Sequence, residues 1–447
     1  MGNRQYGFAM NKPLTKDLQE LVDANIITAD TAHQITDYYQ AKRETPSNKL
    51  NLVLGILGAI LVGSGIILLV AHNWDELNRV TKTLLSFLPL AIAQVISIYA
   101  IIRKRDSRVW QEGSATFLFC TVPTSIAMIS QIYHIDGTLS SFLLTWLLLT
   151  IPLIYLQSSS IISLLVIATL TWYGIEIGYH ALFSTSVTHY PYLYMVLLLC
   201  LLPWYYRLAT RNSNSNFFHL HNWFLILSLC ITLGTFSGSN DDFTWTFAGY
   251  MSLFGLCYIL GNSNYFRDNK LWANPFRILG ITGMLVILFT WTFQDLWNGL
   301  YRSRSSSFLG SPLSFITIIM LIASVWLIIR NARDTEKKFN PTIYSAFVFC
   351  VLIFFLQGNE KIGAFLVNCW VIFIAVFFIR KGSIQNHLGI LNFGLLIIAL
   401  LAVFRFFDDS IPFIWRGIFF VVAGVGFFAA NYLLLKKRKT LTLNTNS

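Results

Sequence analysis

Charged residues are scarce in this chain. Only 12% of its 447 residues are Asp, Glu, Lys or Arg, whereas 55% are hydrophobic. A soluble domain carries roughly a quarter charged residues, so this composition excludes an ordinary soluble protein. Apolar stretches of about 20 residues with few charges are typical of helices that cross the hydrocarbon core of a bilayer. The composition therefore predicts an all-α, polytopic transmembrane helix bundle in contact with lipid.

The sequence also lacks the common signatures of catalysis, metal binding and energy coupling. It contains no Walker motif, no HExxH and no GxSxG. No apolar stretch carries the arginine ladder of a voltage sensor or the repeated filter motif of a channel. The six cysteines have no CxxC spacing, and we interpret them as small buried hydrophobic residues. The sequence thus predicts no cofactor, no metal site and no recognisable hydrolase.

The net charge of +11 is not evidence for nucleic-acid binding, because the basic residues lie in short loops between apolar stretches. When the loops are assigned to alternate sides, starting from a cytoplasmic N-terminus, 25 of the 32 Lys and Arg residues fall on the cytoplasmic side. Positive residues are enriched in cytoplasmic loops. The distribution therefore predicts an even number of spans with both termini in the cytoplasm, and the outer loops are left mainly acidic.

The apolar stretches predict about fourteen spans within a bundle covering residues 50–435, followed by a basic cytoplasmic tail at 436–447. The predicted spans are residues 50–71, 80–102, 114–133, 139–156, 160–180, 191–206, 222–237, 245–261, 277–293, 311–330, 341–357, 362–380, 387–405 and 412–435.

Residues 1–49 are predicted to contain a short cytoplasmic helical hairpin within residues 14–43. Asn25 suits a left-handed position at the end of the first helix, and Thr28 suits the N-cap of the second, with Asp30 in its first turn. A segment of roughly 40 residues is too small to bury a convincing core alone. We therefore expect it to dock, with a cytoplasmic protein as the candidate partner.

Small residues recur at four-residue spacing in two of the predicted spans. Gly55, Ala59 and Gly63 lie along one face of the first span, and Gly426 and Ala430 repeat the pattern in the last. Small residues at this spacing allow another helix to approach closely. We predict that both faces serve helix packing, within one bundle or between two copies.

The stretch "VAHNWDELNR", residues 70–79, interrupts the apolar pattern at the end of the first predicted span. If the helix continues, His72 shares a face with Asp75 or Glu76, a pair suited to binding a cation, moving a proton or orienting a polar substrate. The structural alternative is an ordinary helix end, with Trp74 in an interfacial aromatic belt and Asp75 capping the next helix. Asn73 completes this candidate site.

Further polar residues are predicted at the same outer side. His134 and Asp136 follow the third span, and Glu176 and His180 share a face near the outer end of the fifth. An ionisable residue inside a membrane span is a functional candidate by default, which applies to Glu176 in particular. We predict that these residues, together with residues 72–76, line a polar outer vestibule or a substrate or ion pathway.

The N-terminal part of the sequence resembles a known family. "LQELVDANIITADTAHQITDYYQ" followed by "LGILGAILVGSGIILLVAHNWDELNRVTK" resembles the uncharacterised bacterial membrane-protein family called domain of unknown function 2157. The residues that carry the resemblance, over roughly the first hundred positions, are Gly58, Gly63, Gly65, Ala71, Asn73, Trp74 and Lys82. The resemblance implies a bacterial inner-membrane location and supplies no activity.

Three classes of function remain open from the sequence. The first is transport or flipping of a small or lipid-linked substrate through the outer vestibule. The second is a structural or regulatory membrane protein that docks a cytoplasmic partner through residues 14–43. The third is a membrane-embedded enzyme acting on lipid-linked substrates, with Asp75, Glu76 or Glu176 as acid or base.

Overall fold

The structure is a computed structural model of the chain, and it describes most of the sequence between residues 18 and 428. The described residues are 18, 20–44, 74–183, 191–211, 215–237, 243–263, 265–266, 271–297, 312–332, 340–356, 359–407, 412–414, 416–418, 420–422, 424–426 and 428. His72, Asn73, the small residues Gly55, Ala59 and Gly63, Ala430 and the basic tail lie outside this set.

The described residues are mainly helical. The α-helices are α1 Ala29–Glu44, α2 Arg79–Arg103, α3 Arg108–Tyr133, α4 Leu139–Gln157, α5 Ser160–Phe183, α6 Pro191–Leu199, α7 Leu202–Arg211, α8 Asn216–Thr232, α9 Phe243–Gly261, α10 Pro275–Thr290, α11 Pro312–Ala332, α12 Ser345–Phe355, α13 Glu360–Ile384 and α14 Leu388–Phe406. Short 3₁₀ turns cover Leu233–Phe236, Leu271–Ala273 and Pro341–Tyr344. This arrangement confirms the all-α class.

Nine helical segments in the described ranges are long and apolar enough to cross a membrane. Eight of them each coincide with one predicted span and contain no internal turn. The ninth, Tyr192–Arg211, covers two helices, because the chain turns at Cys200 and Leu201 between α6 and α7. Shorter apolar helices occupy Pro275–Thr290, Pro341–Phe355 and Arg416–Gly426. The protein is therefore a membrane protein with several apolar helices, and the finer count of fourteen spans stays a prediction.

The chain divides into two compact units, residues 1–84 and 85–447. In the first unit, Asn25 has a φ of 55°, the left-handed conformation expected at a helix end. The hydroxyl of Thr28 accepts a hydrogen bond from the backbone N–H of Thr31 at 3.3 Å, as expected of an N-cap. These local predictions are confirmed, whereas the packing of residues 14–43 as a docked hairpin stays a prediction.

Two hydrophobic clusters form the core of the second unit. The first contains buried residues of α3 to α9, such as Leu147 of α4 and Leu170 of α5. The second contains residues of α9, α10, α12, α13 and α14, such as Phe349 and Val371. Helix α9 contributes to both clusters and packs on α10, α11 and α12, so it links the two halves of this unit.

The prediction that all six cysteines are buried is wrong. Cys257 and Cys350 are buried and Cys230 is half-buried, but Cys120, Cys200 and Cys369 are exposed, and all six are free thiols. In a helix that crosses a bilayer, an outward-facing side chain meets lipid instead of water. A small apolar thiol is therefore stable on either face, and apolar sequence context does not separate core from lipid-facing positions.

Several close helix contacts among the described residues involve glycines outside the two predicted small-residue faces. A Cβ at Gly280 of α10 would lie 2.6 Å from the backbone nitrogen of Tyr258 in α9, and one at Gly394 of α14 would lie 2.7 Å from the carbonyl oxygen of Ala375 in α13. By contrast, a Cβ at Gly426 meets no described atom within 4 Å. Close backbone approach therefore explains the glycines of α10 and α14.

We predict that Gly280→Ala destabilises the protein by about 1–3 kcal/mol, because the added methyl group collides with the backbone of α9. The measurement is the thermal unfolding midpoint of the purified protein in detergent. Gly113→Ala is the matched control, since a Cβ there meets nothing within 4 Å. This control is expected to be neutral or stabilising by up to about 1 kcal/mol. Equal midpoints for the two variants would contradict the close α9–α10 approach.

Candidate functional site

A pocket of about 720 Å³ lies at one end of the second unit, over the start of α5. Three chain segments build its wall: the turn between α2 and α3, the turn between α4 and α5, and the segment from α7 into α8. Four arginines line it, namely Arg105, Arg108, Arg207 and Arg211. Their side chains are exposed, so they surround the mouth. We call this site the arginine pocket.

Gln111 anchors the first of these segments. Its side-chain amide donates to the carbonyl oxygens of Ala100 at 2.7 Å and Lys104 at 3.3 Å. Ala100 lies in the last turn of α2, and Lys104 directly follows the helix. Each carbonyl also accepts one backbone N–H, from Lys104 and from Ser107 respectively. The side chain of Gln111 therefore ties the end of α2 to the start of α3 and fixes the turn that carries Arg105.

Glu112 is the single acid among the described residues of the pocket wall, and its carboxylate is already engaged. It accepts hydrogen bonds from the hydroxyl of Ser159 and from the backbone N–H groups of Ser160 at 2.9 Å and Ile161 at 3.0 Å. The first N–H groups of a helix need an external acceptor, and an anion is favoured there by the helix dipole. Glu112 of α3 therefore caps α5 across the interface.

A second polar layer lies one turn further along α5. Ser163 is hydrogen-bonded to Nε2 of His221, and Nδ1 of His221 lies 2.7 Å from the carbonyl oxygen of Phe217. A carbonyl oxygen only accepts, so Nδ1 of His221 is the donor to Phe217. The hydroxyl of Ser163 also donates to the carbonyl oxygen of Ser160 at 2.9 Å. His221 is only 1% exposed. This layer joins α8 to α5 below the pocket.

Two buried polar side chains of the pocket wall lack a partner within the described part of the chain. Gln157, the last residue of α4, is 4% exposed, and neither its Oε1 nor its Nε2 forms a hydrogen bond. Trp204 in α7 is 7% exposed, and its Nε1–H is also without an acceptor. An unsatisfied buried polar group costs about 1–3 kcal/mol, so such groups point to a binding site.

The predicted site at residues 70–79 forms a turn in its described part. Residues 74–77 are not helical, so helical spacing does not connect His72 to Asp75 or Glu76 through this segment. Asp75 does not cap the next helix, because Asn78 does: its Oδ1 accepts from the N–H of Thr81 at 2.8 Å. Asp75 and Glu76 are exposed.

Trp74 has a packing role in the same turn. The ammonium nitrogen of Lys82 lies 5.7 Å from the centroid of the Trp74 ring, within the range of a cation–π contact. Trp74 and Lys82 are two of the residues that carry the family resemblance. Their contact joins the turn at residues 74–77 to the first turn of α2. This packing explains why a tryptophan and a lysine stand eight positions apart here.

The other predicted residues lie away from the arginine pocket, toward the opposite ends of the same helices. His134, with a φ of 52°, ends α3, and Asp136 lies in the turn before α4; both are exposed. Glu176 and His180 both lie in α5, and Glu176 is half-buried. The 26 residues of α3 span about 39 Å at 1.5 Å per residue, so His134 lies far from Arg108.

Sequence reasoning missed the arginine pocket, although it identified the loops that form it. The alternation of the predicted spans puts the loops near residues 103–108, 157–160 and 207–215 on the cytoplasmic side, but it predicts only a topological role for their arginines. The structure brings these three loops together. Glu112 was the available signal, because it is an acidic residue within a mainly basic region at the start of an apolar stretch.

These features define the class of protein as a helical, polytopic membrane protein with a basic pocket at one end of its bundle. Residues 19–163, about a third of the chain, match the family model described as "Predicted membrane protein (DUF2157)". This match confirms the family resemblance found in the N-terminal sequence. It covers Arg105, Arg108, Glu112 and Gln157, whereas Trp204 and the later wall residues lie beyond it.

No curated protein matches this chain, and no solved structure matches it.

We predict that Glu112→Gln destabilises the protein by about 1–3 kcal/mol. The substitution replaces one carboxylate oxygen by an amide that faces the donors at the start of α5, and it removes the charge that the helix end favours. The measurement is the thermal unfolding midpoint in detergent. Asp106→Asn removes an exposed acid at the same end of the bundle and serves as the control. Identical midpoints for both variants would exclude a capping role for Glu112.

Proposed function

We propose that this membrane protein transports or flips an anionic small or lipid-linked substrate, and that the arginine pocket is the site where the substrate loads. The observation that carries the proposal is the excess of four arginines over one carboxylate on the pocket wall. Guanidinium groups bind phosphate and carboxylate groups through paired hydrogen bonds. This loading site is at the end of the bundle opposite His134 and Asp136.

The engagement of Glu112 strengthens this assignment. Its carboxylate is held by the hydroxyl of Ser159 and by two backbone N–H groups of α5, which stabilise it in place. An acid fixed in this way leaves the guanidinium groups of the mouth available to an incoming anion. We therefore expect the pocket to attract anions and to do so less at high salt, because exposed charges are screened.

We further propose a bacterial inner-membrane location with both termini in the cytoplasm, which places the arginine pocket on the cytoplasmic side. In this orientation His72, Asn73, Trp74, Asp75, Glu76, His134, Asp136, Glu176 and His180 are candidates for the outer end of the pathway. The length of α3, about 39 Å, is sufficient to connect the two sides of a bilayer whose hydrocarbon core is about 30 Å thick.

The test uses the full chain in proteoliposomes and the double variant Arg207→Gln/Arg211→Gln. Flux is measured with radiolabelled glycerol 3-phosphate and with a fluorescent phosphatidylglycerol that can be quenched from outside. We expect the double variant to reduce flux of the accepted probe at least tenfold, because each lost charged hydrogen bond is worth about 1.5–3 kcal/mol. Arg103→Gln/Lys104→Gln removes two charges at the same end but outside the pocket wall, and it is expected to retain flux.

Flux that is equal in the two double variants would contradict the arginine pocket as the loading site. A second arm examines the outer end with Asp75→Asn/Glu76→Gln and Glu176→Gln in the same assay. Loss of flux in these variants with normal membrane insertion would assign them to the pathway. If flux survives all of these changes, residues 75, 76 and 176 are not part of it.

The second candidate function is docking of a cytoplasmic partner through residues 14–43. Leu21 and Ile26 favour it, because these apolar side chains are 36% and 68% exposed. The double variant Leu21→Glu/Ile26→Glu tests this role in cells that depend on the protein. Loss of function in this variant, with full function in Arg207→Gln/Arg211→Gln, would favour docking over transport. Chemical turnover of a lipid-linked substrate by the purified protein would instead favour an enzyme.

A further inference from the structure

We infer that the ligand of the arginine pocket is a phosphate ester whose attached group carries hydroxyls, such as a phosphorylated polyol or sugar, rather than a bare anion. This inference rests on the proposed function, since it names the substrate class of the same loading site. The polyol phosphate can be free in solution or form the headgroup of a lipid, and both sources present the same chemistry to the pocket.

The volume of the pocket is the first argument. At about 720 Å³, it lies within the range of sites that enclose a whole organic ligand. A bare phosphate or sulfate that contacts the exposed arginines would leave most of this volume to water. A ligand that fills the pocket therefore has a further group attached to its anionic part.

The unsatisfied polar atoms of the wall determine the chemistry of that group. Arginine and the indole of Trp204 only donate hydrogen bonds, and the dianionic phosphate group of an ester only accepts them. Gln157, in contrast, presents a carbonyl oxygen that needs a donor and an amide that needs acceptors, and both are unpaired within the described residues. A hydroxyl group donates and accepts at once. A polyol therefore offers donors and acceptors to Gln157 and Trp204 together, whereas an anion without hydroxyls, such as the dianion of methyl phosphate, leaves Oε1 of Gln157 unpaired.

The positions of these residues also give the ligand a direction. The four arginines are exposed at the mouth, while Gln157 and Trp204 are buried in the wall. The phosphate accordingly lies at the mouth, and the hydroxyl-bearing group points inward. In a lipid of this type the acyl chains leave through the mouth, where Val109 is 83% exposed and Phe217 is 36% exposed. These apolar side chains provide a surface that is compatible with lipid.

The experiment compares matched probes on the full chain in nanodiscs of zwitterionic lipid. The soluble arm measures the affinity of glycerol 3-phosphate and glucose 6-phosphate against methyl phosphate, which has the ester phosphate without the polyol. The lipid arm measures retention of phosphatidylglycerol against phosphatidic acid by native mass spectrometry; phosphatidic acid has the phosphate without the polyol. We expect the polyol member of at least one pair to bind about tenfold better, and the pair that shows the preference identifies the source.

Two substitutions test whether Gln157 and Trp204 of the pocket wall cause the preference for polyol phosphates. Gln157→Leu and Trp204→Phe are expected to reduce polyol-phosphate binding about three- to tenfold, the loss expected for a neutral hydrogen bond. They should leave the weaker binding of methyl phosphate or phosphatidic acid unchanged. Trp204→Phe keeps a large aromatic ring, so it remains informative if Gln157→Leu does not fold. Arg207→Gln/Arg211→Gln should weaken every anionic probe.

The outcomes separate this inference from the proposed function. Equal binding of the two members of both pairs, with normal dependence on the arginines, overturns the polyol assignment and leaves the loading site intact. A polyol preference that survives both Gln157→Leu and Trp204→Phe also overturns it. Binding that does not depend on Arg207 and Arg211 overturns the loading site itself, and the inference with it.

Discussion

The carboxylate of Glu112 at the start of α5 is the interaction on which the arginine pocket depends. A helix that enters a membrane needs acceptors for its first N–H groups, and here they come from a neighbouring helix. This bond fixes α3 against the turn between α4 and α5. Because Gln111 ties the same part of α3 to the end of α2, the two adjacent residues hold the turn between α2 and α3 against the turn between α4 and α5, two of the three segments of the pocket wall.

The interior of the bundle is organised by close backbone approach and by small polar contacts. Glycines at the α9–α10 and α13–α14 interfaces allow backbones to meet where any Cβ would collide. Between α5 and α8, hydroxyl and imidazole groups bond directly, as in the pair of Ser163 and His221. Both devices suit a lipid environment, in which the hydrophobic effect does not by itself distinguish helix–helix contact from helix–lipid contact. The same reasoning accounts for the exposed cysteines.

The two ends of the bundle differ in their chemistry. One end gathers arginines around buried donors and an acceptor that have no hydrogen-bond partner among the described residues. At the other end of α3 and α4, His134 and Asp136 are exposed and belong to a turn. The contacts of the turn at residues 74–77 are also structural. Asn78 caps the start of α2, and the ring of Trp74 contacts the ammonium group of Lys82. A ligand site is therefore better supported at the arginine end.

The all-α membrane class and most helix positions followed from the sequence alone, because apolar length and charge scarcity are local properties of the chain. Local backbone features such as Asn25 and the Thr28 cap were predictable for the same reason. The arginine pocket was not, since Glu112, Gln157 and Trp204 are separated by tens of residues and meet only in the tertiary structure. A basic loop residue has the same local pattern whether it orients a span or binds an anion. Only the packing of α3, α5 and α7 decided that Arg108 and Arg207 share one site.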